Sequence, residues 1–378
     1  MTDVSAHPTP HPTTTPWPLN APFPWPGGKS AIIAALNARF GAVQNRVDAF
    51  CGSAAWILGS PPAPVETIND MSGDIVNAYR AIRADPDAVA QHCAWPVSEA
   101  DFTARRIALK TTLPERAARC MADPEWYDAR AAGYFLYVLA VNIGNDCYAD
   151  GPWTVVNGRL VVQADAAGAG IGRRLPDVGA TVHGTPNRRG ISAMRITRML
   201  PAIAAGGEGR LHARGVVALQ EEASIRTYLA AIARRLQRVR IVCGDWRRVL
   251  APSITTNFGP TAVLIDPPYP SDLHGVRYGV PGEENVWYDA ARWAVDHGDD
   301  PLLRIAVCGY WTPDIDALFP SSWERMRWVA NGGYGNQGNG IGRTNRLREC
   351  VWFSPHCTHA RQETLFPDDD MATDRPTG

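Results

Sequence analysis

Val263-Leu264-Ile265-Asp266-Pro267-Pro268-Tyr269 is the stretch on which the fold of this chain is decided. Three apolar residues in a row make a short strand of the kind buried on both faces of an α/β sheet, and the chain then changes abruptly to an acid and two prolines. Each proline fixes φ at about −65° and continues neither sheet nor helix, so Asp266 and Tyr269 project from a stiff turn. That turn falls at the carboxyl edge of the sheet, where open α/β folds bind ligands. Alone, the same residues also suit an ordinary turn with a tyrosine packed beside it, because Asp and Pro favour turns for conformational reasons. The rest of the chain decides between the two.

With 378 residues and 45% hydrophobic content, the chain has the length for two domains, or for one with an insertion, and a sizeable core. No stretch approaches the roughly 18 apolar residues of a membrane span, and the N-terminus lacks a basic segment followed by an apolar one, so a cytoplasmic protein is expected. Eight scattered cysteines without a C-x-x-C pair indicate neither a zinc knuckle nor a disulfide framework. The net charge of −1 says little about nucleic acid until its distribution is examined. Only Lys29 and Lys110 are lysines, every other basic residue being arginine. A compact ammonium at position 29 therefore stands against the compositional habit of the chain, either by chance or because a confined site requires it.

Taken in order, residues 1–22 are rich in Pro and Thr and predict a disordered tail. Phe23-Pro-Trp-Pro-Gly-Gly-Lys-Ser30 leads into a predicted helix over 31–40, with Ser30 as its N-cap. Gly27 and Gly28 would let a ligand approach backbone N–H groups, and Lys29 adds positive charge. A Walker A phosphate loop is a poor match, because the glycine it needs ahead of Gly28-Lys29-Ser30 is replaced by Phe23. Val47 to Phe50 predicts a buried strand that ends in Cys51-Gly52-Ser53-Ala54, small residues for a tight turn beneath a cofactor. A second strand over 65–69 ends in Asp70, at the distance where nucleotide-binding α/β folds place an acid on a ribose hydroxyl. Ile75, Val76, Tyr79 and Ile82 then form a helical core stripe. A cofactor with an adenosine portion is the leading inference.

From Ala84 to about Arg238 the strand–helix alternation is lost. A buried helix over 131–140 and a hairpin over 153–162 around Asn157-Gly158 suggest an inserted domain, 85–238. Between Gly168 and Arg214 stand eight arginines, among them Arg173, Arg174, Arg188 and Arg189, against Asp177 and Glu208. Such a segment suits a phosphate backbone, or a solvated surface in an arginine-biased chain. Alternation resumes with strands over 239–243, 263–265, 303–308 and 350–353. Between Arg325 and Arg348 five arginines, Arg343 and Arg346 among them, thread through a glycine-rich loop that contains no acid and is expected to become fixed on meeting a partner. Residues 356–378 predict a loose tail.

Together and in this order, FPWPGGKS, DAFCGSA, IND and IDPPY resemble the Dam-like, alpha-group family of S-adenosylmethionine-dependent DNA adenine-N6 methyltransferases. The later YGNQG and RECVWFSP look most like its phage-borne members. The resemblance covers residues 23–84 and 239–355 and implies an α/β fold: a Rossmann-like class I methyltransferase sheet, with 85–238 as an inserted target-recognition region. It implies S-adenosyl-L-methionine as cofactor, double-stranded DNA as partner, no metal, and a monomer. Position by position, it places Trp25, Gly27, Gly28 and Lys29 at the cofactor, the last three near its methionine end. Phe50 and Gly52 would lie beneath it, and Asp70 would accept from its ribose. Asp266, Pro267, Pro268 and Tyr269 match the catalytic motif unchanged, with Asp266 also at the cofactor. Two departures are Ala54, where the family usually has a second glycine, and the stretch 141–152, which leaves the target sequence open.

The chemistry suits these residues. An exocyclic adenine nitrogen is a poor nucleophile, its lone pair delocalised into the ring, and it is paired inside the duplex, so the base must be flipped out. Tyr269 can stack on the extruded base while the Asp266 carboxylate and the Pro267 carbonyl accept hydrogen bonds from the amino group, drawing the nitrogen toward tetrahedral geometry. Two alternatives stand beside this reading. One is amino methylation of another base, N4 of cytosine in DNA or a base in RNA, although the aspartate favours adenine. The other is a catalytically silent DNA-binding protein on the same scaffold.

Overall fold

Val47, Ala262 to Ile265 and Ile305 to Cys308 have almost no solvent exposure on either face, and they occupy the middle of a seven-stranded sheet. The computed structural model describes residues 16–25, 27–95, 98–142, 148, 153–156, 159–162, 218–270, 283–329 and 347–358. The strands are β1 (Asn45–Asp48), β2 (Val65–Asp70), β3 (Trp153–Val156), β4 (Arg159–Val162), β5 (Val239–Cys243), β6 (Thr261–Ile265), β7 (Leu303–Tyr310), β8 (Glu324–Arg327) and β9 (Glu349–Phe353). The helices are α1 (Ile33–Phe40), α2 (Ala55–Gly59), α3 (Gly73–Ala84), α4 (Pro86–Cys93), α5 (Glu99–Ala122), α6 (Ala129–Val141), α7 (Ala218–Leu236), α8 (Glu283–His297) and α9 (Pro313–Asp316). β3 and β4 form a separate antiparallel pair, as the Asn157-Gly158 turn predicts.

The large sheet has the order β5-β2-β1-β6-β7-β9-β8. β5, β2, β1, β6 and β7 are parallel, and β9 runs antiparallel to both of its neighbours. Counted among themselves, the five parallel strands follow the order third, second, first, fourth, fifth, the beginning of the doubly wound dinucleotide-binding order. The protein is therefore an α/β protein with a mostly parallel sheet compatible with a Rossmann-like fold. Its switch point lies between β1 and β6, whose pairing runs from Asn45↔Thr261 to Asp48↔Leu264.

Several elements differ from the sequence expectation for identifiable reasons. β1 begins at Asn45, earlier than predicted, because its polar residues are satisfied inside the protein: the Asn45 amide donates to Ile254 O at 2.7 Å, and Arg46 lies over the Trp56 ring. Ser30 does not cap a helix; it opens a 3-10 turn, Ser30–Ile32, that leads into α1 without a side-chain cap. β8, within the stretch read as a basic loop, is an edge strand whose sequence Glu-Arg-Met-Arg carries no apolar run to reveal it. Parts of both predicted tails are packed. The Leu19 N–H donates to Leu58 O at 3.0 Å, and the Thr358 N–H donates to Arg39 O at 2.7 Å.

α3 is buried along its length from Gly73 to Ile82, not on one stripe alone. The cause is that α5, α6 and α7 all pack against it. Gly73 makes the closest of these approaches possible, since a Cβ there would lie 2.5 Å from the Ala117 Cα of α5. α4, α5, α6 and α7, all within 85–238, thus share one core with the sheet. α7 contributes Ile225, Leu229, Ile232 and Leu236 at helical spacing. Arg173, Arg174, Arg188, Arg189, Arg343 and Arg346 lie outside the described residues. Among the described residues, no helix is long and apolar enough to cross a membrane, and no group of His, Cys, Asp and Glu is placed to hold a metal ion.

α7 is fastened to β2 by a buried ion pair. Arg235 and Glu66 side chains are 1% and 2% exposed and meet at 2.5 Å, and Arg235 also donates to Ile57 O at 2.7 Å. Removing Arg235 leaves the buried Glu66 carboxylate without its close partner, with Arg46 at 4.0 Å as its remaining cation. Arg235→Ala is expected to lower unfolding free energy by about 3–5 kcal/mol, and Arg235→Ala with Glu66→Ala by less than the sum of the single changes, measured by denaturant titration.

Candidate functional site

The carboxyl ends of β5, β2, β1 and β6 lie side by side along the sheet edge that includes the switch point, and each contributes a turn. The Asn69 side-chain amide ties three of them, donating to Ala49 O at 3.0 Å and to Gly244 O at 3.1 Å. Asp70 accepts from the Gly52 N–H and from the Ser72 N–H, each at 2.9 Å. A carboxylate has about four acceptor sites, so Asp70 can orient the turn and still accept from a ligand. Burial raises its pKa above the ordinary aspartate value, and the N–H donors of Ser72, Gly52 and Met71 oppose that rise.

The turn after β1 is built around two left-handed residues. Gly52 has φ +47°, and a Cβ there would lie 2.6 Å from Trp25 Cδ1, so the indole packs directly over the glycine. Ala54 also has φ 47°, a left-handed conformation that glycine adopts more readily than alanine. Phe50 packs on Trp246 with ring centroids 5.9 Å apart, joining the β1 turn to the segment after β5. Gly28 donates its N–H to Trp25 O at 3.2 Å, which shapes the segment that delivers Lys29.

Lys29 and Asp266 form the centre of the site. The Lys29 ammonium lies 2.7 Å from Asp266 Oδ2, with side chains 3% and 18% exposed, and it donates to Gly27 O at 2.6 Å. Burial alone would lower the Lys29 pKa, yet Asp266, with Cys308 and Glu349 behind it, outweighs that cost and raises it above the ordinary lysine value. Asp266 is raised by burial, and the Lys29 ammonium and the Tyr269 hydroxyl pull it back. The structure therefore joins Lys29, expected near the methionine end of a cofactor, to Asp266, expected at the acceptor amino group and at the cofactor.

Tyr269 is a wall of the site more than an open platform. Its ring is 6% exposed. Tyr310 meets it edge-on at 4.7 Å and Lys29 Nζ lies 5.4 Å from its centroid. The hydroxyl donates to Glu349 Oε2 at 3.2 Å. Trp328 closes the same corner, 5.9 Å from Lys29 Nζ.

Sequence reasoning missed three members. Asp48, the last residue of β1, is 3% exposed, and its Oδ1 has no hydrogen-bond partner. Burial, then Asp266 and Asp70, push its pKa well above the usual aspartate value. Glu349 begins the reversed strand, and burial pushes its carboxyl up to about 7 against the pull of Lys29. Trp328 follows β8. The available signal for Glu349 was its place as the first acid after a long acid-free arginine stretch.

Compared with protein-family models and with curated proteins, the chain matches none. The class of protein is therefore defined by fold and site: an α/β protein whose switch-point edge carries a largely buried lysine–aspartate pair, three further acids at strand ends, and an aromatic wall.

The β1 turn yields a contrast between two substitutions. Gly52→Ala meets both the positive φ and the Trp25 ring, and is expected to destabilise by about 2 kcal/mol or more. In Ala54→Gly the relief of about 1–2 kcal/mol is offset by about 0.4–1 kcal/mol of chain entropy and about 0.8 kcal/mol for the buried methyl. Its net effect is expected within about 1 kcal/mol of zero by chemical denaturation. Comparable losses for both variants would contradict this picture of the turn.

Proposed function

We propose that the protein is a site-specific DNA methyltransferase that carries a methyl group from S-adenosyl-L-methionine to the N6 amino group of an adenine flipped out of double-stranded DNA. One observation carries the reading: the four stretches at 23–30, 48–54, 68–70 and 265–269 converge on one sheet edge, with Lys29 2.7 Å from Asp266 and Gly52 2.9 Å from Asp70. Under it, the sheet with its reversed β9 is a class I methyltransferase sheet, and the arginine-rich part of 85–238 is the target-recognition region.

The residues present fit the cofactor. Asp48 offers a buried oxygen with no hydrogen-bond partner, and Asp70 keeps acceptor capacity after its two backbone bonds. Asp48, Asp70, Asp266 and Glu349 all act electrostatically on the same small region as Lys29. An excess of acids suits a cationic ligand. S-adenosyl-L-methionine supplies an electrophilic methyl group on a sulfonium. Asp70 would hold its ribose, Trp25, Gly27, Gly28 and Lys29 would approach it with the last three at its methionine end, and Phe50 and Gly52 would lie beneath it.

For the acceptor base, Asp266 and the Pro267 carbonyl take the two amino hydrogens and aim the nitrogen. Lys29 keeps the Asp266 carboxylate charged and in place. Tyr269, with Pro268 stiffening the turn before it, bounds the base pocket. An anionic partner is favoured by the rim. Arg327 and Arg348 have no acidic partner among the described residues, the first lying 5.9 Å from the Trp311 ring and the second donating to Trp311 O at 3.2 Å.

Incubation with double-stranded DNA and isotopically labelled cofactor, followed by nucleoside mass spectrometry, is expected to yield N6-methyladenine. N4-methylcytosine, or label confined to RNA, would move the activity to another base, and no methylated nucleoside at all would leave a silent DNA binder. Asp266→Ala is expected to lower transfer by about 10²–10³-fold or more while DNA affinity stays within about threefold. Unchanged activity in that variant would place the site elsewhere.

A further inference from the structure

We propose that Glu349 is a positioning residue of this site, fixing the Tyr269 ring through its hydroxyl and Trp328 through the Glu349 main chain. The inference rests on the reading of the site as the place where a flat base is methylated, and goes beyond it by assigning a role on the reversed strand.

Topology brings Glu349 there. β9 runs against the parallel strands, so its first residue, not its last, reaches their carboxyl edge, where Glu349 pairs with Tyr310 at the end of β7. Its side chain is almost fully buried, and its Oε2 accepts from the Tyr269 hydroxyl at 3.2 Å. Its main-chain carbonyl accepts from the Trp328 N–H at 3.1 Å. One residue thus bonds the Tyr269 side chain and the Trp328 main chain, and the rings of both flank the Lys29 ammonium, at 5.4 Å and 5.9 Å. A buried glutamate on a sheet edge is not needed for packing, since a buried acid costs stability unless it is bonded. Tyr269 has few ways to turn while its hydroxyl is held and Tyr310 abuts its ring. A phenol bonded to a carboxylate is held more strongly than one bonded to a neutral acid.

The groups facing Glu349 are Lys29 from the segment before α1, Asp266 and Tyr269 from the turn after β6, and Cys308 from β7. Burial keeps the Cys308 thiol neutral, and Lys29 stays protonated, so neither changes charge near neutrality. Glu349 has its carboxyl pushed up to about 7, and it gains its charge, and a firmer hold on Tyr269, as pH rises through that value.

The test uses the full chain with Glu349→Ala, Glu349→Gln, Tyr269→Phe and the double variant Glu349→Ala/Tyr269→Phe. Methyl transfer to DNA is followed from about pH 5.5 to 9. Glu349→Ala is expected to lower kcat/KM about tenfold above neutrality. Glu349→Gln, whose amide oxygen still accepts from the hydroxyl, should recover most of the activity but lose the wild-type rise through about pH 7. The double variant should be no worse than the poorer single one. Multiplying losses, or a rise that survives in Glu349→Gln, overturn the proposal.

A second measurement does not depend on catalysis. Carboxyl NMR of glutamate-labelled protein, with the Glu349 signal assigned by its absence in Glu349→Gln, should show titration near 7 and a further upward shift in Tyr269→Phe, where a bond to the carboxylate is lost. Titration in the ordinary glutamate range, or no response to Tyr269→Phe, contradicts the Glu349–Tyr269 link even if methylation is found. The expected titration without any methyl transfer would keep the link and reject the functional reading.

Discussion

A buried ammonium and a partly buried carboxylate, Lys29 and Asp266, constrain the rest of the site. Each charge taken from water costs several kcal/mol, and their attraction offsets that cost only in good geometry with the remaining donors and acceptors engaged. The protein supplies that geometry from two distant segments. β6 delivers Asp266 at its carboxyl end, and the turn stiffened by Gly28 and Trp25 delivers Lys29, whose ammonium also reaches Gly27 O. Arginine, with a planar fork, would not occupy the same small space between Asp266, Tyr269 and Trp328. The scarcity of lysine in the chain therefore has a local counterpart in the shape of this corner.

Around the pair, the sheet order decides what else arrives. Parallel strands bring Asp48, Asp70 and Asp266 to one edge because each follows or ends a strand of the same direction. The antiparallel β9 brings Glu349 to that edge by its beginning. Several acids then share one region with Lys29, and burial raises them all. Such an arrangement costs stability in the protein alone and favours a cationic ligand, which is the usual way a binding site differs from a packing core.

Much of the fold was legible in the sequence because buried parallel strands read as largely apolar runs, and the chain has these at 239–243, 263–265 and 303–308. β8 was not legible, since an edge strand of charged residues has no such run. The start of β1 was hidden by Asn45 and Arg46, polar residues satisfied only by tertiary partners. Within the site, Lys29, Gly52, Asp70, Asp266 and Tyr269 could be singled out from local motif chemistry. Their mutual contacts could not, because the neighbourhood of β1 and β6 is a property of the sheet order. Asp48 and Glu349 stood beside recognisable motifs, but their importance comes from burial and from partners far along the chain. Ala54 ran the other way: a small residue suited to a tight turn in the sequence, it takes a positive φ that only the structure reveals.

The proposed function requires one cofactor to lie across Lys29, Gly52, Asp70 and Asp266. Photolabelling of the full chain with radioactive S-adenosyl-L-methionine, followed by peptide mapping, tests that placement. The label is predicted on peptides that include residues 23–29, 48–54 or 266–269, and an excess of unlabelled cofactor should abolish it. Labelling confined to other peptides, or none that competes, would contradict the assignment of this edge as the cofactor site.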